Sequence, residues 1–481
     1  MSAALDTPTE KLPVRTKLSY GLGTIAFGIK EQGFNTFLLL YYNQVVGLPA
    51  AWVGMAIMIA MIVDAFADPL IGHYSDHFRS RWGRRHPFMY ASALPLAIAY
   101  FFLWSPPQAS HEIQFVYLLL TSVMVRVAIS FYEIPSATLL AEFTNDYDER
   151  TSLSAYRSIF FAVGLIAMPV FALKVILVPT AAQPVGQLNA AGYPIYGAVA
   201  AAVMLLSVLL SSWGTHHRIP LLRSHQGTER ATLKGLLAGL KIVLLDRTFS
   251  SVLLCTFFFS IGAGLTNTLG LYIRTYFWRL SAANFAVIAS SAIWGLFLAL
   301  LVVHLSKKFG KKETVVALYS TALVVITVPM VLGLLGMMPT QNSELVAILV
   351  VQEILLVMTV LAALILAGSM GADVADHFLL KTGEHMEGLM FSSLVMVSKM
   401  VSGMGIFLSS FILSMVHFPE KADVATIDPQ VINHLGWIYV IGIGSMCFIA
   451  IVALSFYPIS RAVHDNILSE LKQRSIQDSS S

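Results

Sequence analysis

Long apolar blocks alternate with short polar joints along the whole chain. As an α-helix, each block is long enough to cross a hydrocarbon core of about 30 Å. Proline or glycine marks several joints, as at Gly47, Pro106 and Pro339, where a helix is expected to end. The pattern predicts twelve membrane spans, numbered in chain order: 18–46, 51–75, 87–105, 112–142, 152–180, 194–214, 249–278, 282–306, 313–337, 344–371, 386–416 and 430–457.

The longest joint, 215–247, divides the spans into two groups of six. The joints after span 2 (GHYSDHFRSRWGRR) and span 8 (VHLSKKFGKKE) are both short and basic, with a glycine between cations. Two six-span halves with internal repetition are a common plan of secondary transporters. We expect an all-α membrane protein with twelve transmembrane helices. Its predicted parts are a segment 1–17, a first half 18–214, a linker 215–247, a second half 248–457 and a tail 458–481.

Composition agrees with a membrane protein, since 57% of the 481 residues are apolar and 12% are charged. The net charge of +3 is spread over several joints, so a nucleic-acid partner is not expected. Cys255 and Cys447 lie within apolar blocks and indicate neither a disulfide nor a thiolate metal site. The expected partners are the lipid bilayer and a small-molecule substrate, and the chain is expected to be a monomer.

Positive charge is distributed unevenly between the two sides of the membrane. Most of the 30 Lys and Arg fall in joints on one side, whereas the opposite joints contain only Arg279 and Lys421. Because positively charged loops are retained in the cytoplasm, both termini are expected to be cytoplasmic. We expect a multi-pass protein of a bacterial inner membrane.

Ionisable side chains lie inside several spans, although a charge within the bilayer is costly and usually functional. Asp64 and Asp68 are one turn apart and share a face of span 2, and Arg126 and Glu133 share a face of span 4. Two carboxylates on one face repel each other as anions, which favours binding of H⁺ or Na⁺. The other charged residues of this kind are Lys30, Glu31, Arg157, Arg274, Glu353 and Lys399.

The same charges also allow a structural interpretation, in which they only neutralise one another. In that network, Asp64 or Asp68 pairs with Arg157, and Glu133 pairs with Arg126. Both interpretations place the side chains inside the helix bundle, and the sequence leaves both open.

Motifs for catalysis are missing from the sequence. It has no nucleophile elbow, phosphate-binding loop or metalloprotease helix, so we expect no enzyme and a gradient rather than ATP as the driving force. No cofactor is expected besides the coupling H⁺ or Na⁺, and no metal site besides possible Na⁺ at Asp64 and Asp68. Arg274 and Glu353 are each alone on their spans, and we interpret Arg274, near a span end, as structural.

Several short motifs carry a resemblance to a known family. They are KLSYGLG and YYNQVVGLP in span 1, DAFADPLIG in span 2, RSRWGRRHP in the joint that follows, EIP in span 4, AYRS in span 5 and ADVADH after span 10. With them the chain resembles the glycoside-pentoside-hexuronide:cation symporter family of the major facilitator superfamily, whose best-known member is the melibiose permease. The resemblance extends over the chain and implies the major facilitator fold.

The resemblance also implies roles for individual side chains. The span 2 carboxylates match the family's cation site, near which the span 11 lysine lies, and the span 4 acid and span 5 arginine match its sugar site. The basic joint after span 2 and the acids after span 10 match residues that hold one conformation shut. The implied residues are Asp64, Asp68 and Lys399 for the cation, Glu133 and Arg157 for the substrate, and Asp76, Arg79, Arg84, Arg85, Asp373 and Asp376 for gating.

The chain departs from the family pattern at three places. In span 1 the family's sugar-binding Lys-Asp pair aligns three positions before Lys30 and Glu31, which lie about one turn further along the helix and are the expected replacements. Ala137 stands where the family has an aromatic ring, and Ala67 where it has a cation-binding asparagine. Fewer oxygen ligands favour H⁺ over Na⁺, and both ions stay open.

The expected function is cation-coupled secondary symport of a small organic substrate, a sugar or glycoside, by alternating access. An amphipathic or lipid-like substrate stays open because the aromatic ring is missing. A membrane receptor or scaffold that keeps the fold without transport is the alternative from another functional class.

Overall fold

A computed structural model describes most of the chain. The described residues are 12–144, 146–181, 183–221, 246–339, 342–382 and 403–459, together with 463, 466, 467, 469, 470 and 473. Throughout these residues the regular structure is helical and includes no β-strand. The prediction of an all-α membrane protein is therefore confirmed.

The first half begins with an interrupted helix. Span 1 runs through Val14–Leu22, Thr24–Gln32 and two wide π-helical turns, Gly33–Leu38 and Tyr41–Val46. The remaining helices of this half are Ala50–His77 for span 2, His86–Leu103 for span 3, His111–Phe143 for span 4, Tyr147–Phe171 with Ala172–Ile176 for span 5, and Gly192–His216 for span 6.

The second half has helices at the predicted places. They are Arg247–Tyr272 with Ile273–Phe277 for span 7, Ala282–Phe309 for span 8, Lys311–Leu334 for span 9, Asn342–Thr382 for span 10, Gly403–Met415 for the described part of span 11 and Pro429–Ser455 for span 12. Most predicted ends are correct to within a few residues. The prediction for span 10 was too short, because its helix continues into polar sequence as far as Thr382.

Ten helices in the described part of the chain are long and apolar enough to cross a membrane. Span 1 is divided into shorter pieces, and span 11 lies partly outside the described residues. The helices belong to two compact units, Met1–Thr228 and Glu229–Ser481.

Spans 1 and 7 end in the same way, although their sequences differ. Each closes with a wide turn, Tyr41–Val46 or Ile273–Phe277, and the next few residues include one in the left-handed conformation. That residue is Gly47 (φ 96°) after span 1 and Arg279 (φ 50°) after span 7. A left-handed residue lets the last amides return to free carbonyls of the final turn. The two helices, each the first of its group of six spans, therefore end with the same backbone geometry.

Glycines allow close helix contacts in both units. A methyl group added at Gly28 on span 1 would lie 2.3 Å from the carbonyl oxygen of Phe161 on span 5, and Gly164 makes a similar approach in return. In the second unit, a methyl group at Gly405 on span 11 would lie 2.6 Å from the Cα of Gly264 on span 7. Small residues at such crossings bring helix backbones into van der Waals contact.

Aromatic side chains fill the core near one end of the first unit. The ring of Tyr41 stacks on that of Tyr193 with centroids 4.2 Å apart, and the ring of Trp104 lies against both, at 5.4 and 5.8 Å. Tyr41 and Tyr42 donate hydrogen bonds to the carbonyls that end span 3, at 3.1 and 2.8 Å. Spans 1, 3 and 6 are joined there, which fixes the rotation of span 1.

Candidate functional site

Asp64 on span 2 is held by two side chains of span 4. Arg126 Nη1 donates to Asp64 Oδ2 at 3.2 Å, and the hydroxyl of Ser130 donates to Oδ1 at 3.1 Å. The Arg126 guanidinium also lies over the ring of Phe34 on span 1, 5.0 Å from its centroid. Asp68, one turn further along span 2, is partly buried. Both predicted cation-site carboxylates thus lie on one partly buried face of span 2.

Glu133 and Arg157 form a second ion pair, between spans 4 and 5. Arg157 Nη2 lies 2.5 Å from Glu133 Oε1, and Nη1 donates to the hydroxyl of Ser136 at 2.9 Å. The Tyr20 ring lies beneath the guanidinium, and its hydroxyl donates to the carbonyl oxygen of Ser136 at 3.0 Å. The two predicted substrate residues are therefore in direct contact, with donors and acceptors from three spans around them.

The observed ion pairs differ from those of the structural network considered in the sequence analysis. Asp64 pairs with Arg126 rather than Arg157, and Glu133 pairs with Arg157 rather than Arg126. Arg126 and Glu133 share a helix face but lie two turns apart, about 10 Å along the axis. Arg126 therefore contacts span 2 and Glu133 contacts span 5, at two different depths along span 4.

Lys30 and Glu31 are adjacent in sequence and form an ion pair with each other. Asn35 donates to the second oxygen of Glu31 at 3.0 Å, and the Lys30 ammonium lies 4.6 Å from the centroid of the Phe27 ring. The charge of Arg126 also acts on the Glu31 carboxylate. In the predicted span 1 pair, Lys30 is therefore buried and Glu31 is partly buried, near Arg126.

The basic joint between spans 2 and 3 closes onto an acid that the sequence analysis missed. Arg84 and Arg85 both donate to Glu142 at the end of span 4, with Arg85 Nε at 2.6 Å. Arg85 also lies 3.1 Å from Asp76. Arg79, a further predicted gating residue, is exposed.

The second half has an equivalent contact at the end of span 10. Lys311, the first residue of the span 9 helix, donates to both oxygens of Asp373 at 2.6 and 2.7 Å. Asp373 lies as far from the start of its helix as Glu142 does from the start of span 4. Asp376, the other predicted acid, is partly buried.

Two predictions concern the residues around a bound ion. Lys399, predicted near the cation site, lies outside the described residues. Within the described part of the chain, no group of three or more His, Cys, Asp or Glu side chains is arranged to hold a metal ion.

Comparison with known proteins gives matches along most of the chain. The sequence profile of one family, described as MFS/sugar transport protein, matches residues 19–461. An uncharacterized symporter of Synechocystis is 26% identical, with 97% of this chain and 98% of that protein covered. The isoprimeverose transporter of Lactiplantibacillus pentosus is 24% identical, with 97% and 93% covered.

Among solved structures, the D-xylose-proton symporter matches with a TM-score of 0.62 at 14% identity. The match covers 92% of this chain and 98% of that one. At this identity the likeness establishes the fold. The prediction of a major facilitator fold is confirmed.

Proposed function

Because the chain belongs to the family of MFS/sugar transport proteins, we propose that it is a cation-coupled symporter that moves a sugar or glycoside across the membrane by alternating access. The family is one of transporters rather than enzymes, as the sequence predicted. The observation that carries the proposal is the presence of two separate arginine–carboxylate clusters within the spans of the first half. Two clusters allow one site for the ion and another for the substrate.

The cation site is proposed at Asp64 and Asp68. In the structure Arg126 supplies the positive charge that Asp64 needs in a medium of low dielectric constant. A cation that binds to these carboxylates competes with the guanidinium, so arrival of the ion changes the contact between spans 2 and 4. We propose H⁺ as the ion, because Ala67 offers no oxygen ligand and Arg126 already occupies one side of Asp64.

The substrate site is proposed around Glu133 and Arg157. A carboxylate accepts two hydroxyl hydrogen bonds and a guanidinium donates in a fixed plane, which together suit the adjacent hydroxyls of a sugar. Glu133 Oε2 is buried without a hydrogen-bond partner in the structure and would accept from such a hydroxyl. Lys30 and Glu31 offer a second pair of the same chemistry on span 1.

Gating is proposed for the contacts at the ends of spans 4 and 10. Glu142 with Arg84 and Arg85, and Asp373 with Lys311, each connect the start of one helix to the end of another within the same half. Such contacts stabilise one conformation until transport breaks them. We further propose a monomer in a bacterial inner membrane with both termini in the cytoplasm.

Proteoliposomes test the proposal directly. The purified protein would be supplied with a pH gradient, a Na⁺ gradient or neither, and with isoprimeverose, D-xylose, a phenyl glucuronide or a lysophosphatidylcholine in turn. Gradient-dependent accumulation of one of the sugars is expected, with H⁺ as the driving ion. Accumulation of the lysophospholipid alone would favour the lipid-like substrate, and no gradient-dependent uptake of any compound would favour a receptor.

A further inference from the structure

A buried ion pair lies in the second half, apart from the residues used above. Arg274 Nη2, on span 7, is 2.5 Å from Glu353 Oε2, on span 10. The Arg274 guanidinium also lies over the Phe285 ring, 4.7 Å from its centroid. The two side chains are only 25% and 16% exposed. Two membrane spans are thus joined by opposite charges that are largely removed from water.

The neighbouring spans 8 and 9 contact span 10 close to this pair through uncharged groups. Span 8 approaches span 10 through Gly295, and span 9 through Val325, whose carbonyl accepts a hydrogen bond from span 10 at 2.9 Å. On span 12, the Tyr439 hydroxyl lies within electrostatic range of both charges of the pair. On span 7 itself, Tyr276 donates instead to the carbonyl of Ala422. Tyr439 is thus one titratable group near the pair.

The position of Arg274 has an equivalent in the first half. At the end of span 7, the amide of Leu280 donates to the carbonyl of Arg274 at 2.9 Å. At the end of span 1, the amide of Leu48 donates to the carbonyl of Tyr42 at 2.8 Å. Each amide follows the left-handed residue that ends its helix. Tyr42 and Arg274 therefore occupy the same place in their two units.

The position of Glu353 also has an equivalent. Glu353 precedes Asp373 on span 10 by as many residues as Ser122 precedes Glu142 on span 4. Asp373 and Glu142 correspond because each lies at the same place in its helix and binds a cation at the start of the preceding helix. Ser122 is fully buried.

The equivalent positions of the first half, Tyr42 and Ser122, therefore carry no charge. The Tyr42 hydroxyl lies within hydrogen-bonding reach of Thr121, the neighbour of Ser122. It donates to the carbonyl of Leu103 at 2.8 Å. A neutral junction satisfies the fold, whereas an ion pair within a membrane domain must first lose its hydration. The charges at Arg274 and Glu353 thus go beyond what helix packing requires.

Compared with the uncharged residues of the first half, this pair includes a group that can exchange a proton. A guanidinium does not lose its proton in a protein, so the group of the pair that can exchange a proton is the Glu353 carboxyl. We infer that Glu353 is a second ion-coupling group, which takes up and releases a proton during transport, and that Arg274 stabilises its ionised form. The inference rests on the proposed function, because it concerns the same transport cycle.

Three variants separate this role from a structural one. Glu353→Gln keeps an acceptor for Arg274 but cannot exchange a proton. The double variant Arg274→Tyr with Glu353→Ser installs the uncharged side chains of the equivalent first-half positions. Gln352→Leu is the matched control, because it removes a hydrogen bond between spans 9 and 10 without changing charge. The probe is the sugar that the wild type accumulates best in the panel described above.

Each protein would be compared with the wild type in proteoliposomes by three measurements. They are accumulation of the sugar under a pH gradient, exchange of labelled sugar at equal concentrations on both sides, and the number of protons that enter per sugar. Both Glu353 variants are expected to keep exchange and to lose accumulation by on the order of tenfold. Gln352→Leu is expected to behave as the wild type.

The outcomes distinguish this inference from the proposed function. Normal accumulation with an unchanged proton count in Glu353→Gln would overturn the inference and leave the proposed function intact. Loss of exchange together with accumulation in Glu353→Gln would indicate a structural role and also overturn it. A wild type that shows no gradient-driven accumulation would contradict the proposed function itself. If the double variant does not fold, Glu353→Gln alone decides.

Discussion

The Asp64 carboxylate and the Arg126 guanidinium, 3.2 Å apart, neutralise each other between spans 2 and 4. Removing either charge leaves the other buried without its partner. Asp64→Asn and Arg126→Gln should therefore each lower the free energy of unfolding by about 3 to 5 kcal/mol. The double variant should be more stable than either single variant, as measured by thermal unfolding in detergent. Losses that simply add in the double variant would contradict an energetic link between the two residues.

Asp68→Asn should separate substrate binding from its coupling to the ion. The variant loses an exchangeable charge on span 2 while Glu133 and Arg157 remain to bind the substrate. Concentrative uptake should disappear, and substrate affinity should lose only the coupling energy of about 1 to 3 kcal/mol. Uptake and equilibrium binding, with and without the ion, provide the measurement. Ser75→Ala on the same helix is the control, because it removes only a hydrogen bond to the carbonyl of Gly72.

Glu133→Gln should show the opposite pattern. The change removes the charge that pairs with Arg157 and weakens the acceptor offered to a sugar hydroxyl. Substrate affinity should fall by about tenfold, in line with loss of one charge-assisted hydrogen bond. Binding of the sugar to purified protein checks this result. Thr138→Val, five residues along the same helix, should leave affinity unchanged, and equal loss in both variants would argue against a substrate role.

Glu142 and Asp76 should contribute very differently to stability, although both contact Arg85. The Glu142 side chain is 3% exposed and accepts from two arginines, whereas that of Asp76 is 49% exposed and contacts one. Glu142→Gln should therefore cost about 3 kcal/mol or more, and Asp76→Asn less than about 1 kcal/mol. Thermal unfolding of the two variants compares them directly. Similar melting temperatures would show that the Glu142 contact is weak.

Gly28→Ala should weaken the crossing of spans 1 and 5. The new methyl group would meet the carbonyl of Phe161 at 2.3 Å, so the helices must separate, at a cost of about 1 to 3 kcal/mol. Gly72→Ala on span 2 is the matched control, since its nearest contact, with Ile134, is an ordinary 3.6 Å. The control should be neutral or slightly stabilising because alanine favours a helix. Equal melting temperatures for the two variants would exclude a tight crossing.

The sequence predicted the spans well because each is a long apolar block whose ends are marked by polar residues, proline or glycine. It failed where polar sequence remained helical. Span 10 continues to Thr382, where Lys311 bound to Asp373 and the buried Phe378 give the polar turns tertiary contacts. Hydropathy does not record such contacts.

The ion pairs were harder to predict than the residues that form them. Spacing along span 4 places Arg126 and Glu133 on one face but contains no information about the depth at which spans 2 and 5 cross it. Glu142 was missed because its sequence, AEFTND, looks like the start of a joint. A signal was present, since Glu142 and Asp373 lie at the same place in their helices.

Span 10 is one helix of 41 residues, about 60 Å long at 1.5 Å per residue. It carries Glu353 towards one end and Asp373 towards the other, about 30 Å apart by the same rise. Each acid is bound to a cation on another helix of the same unit. A stiff rod held at two such points acts as a lever, because tilting it about its middle moves the two points in opposite directions. If the inferred proton exchange at Glu353 breaks its contact with Arg274, a tilt of span 10 would carry that change to the contact between Asp373 and Lys311.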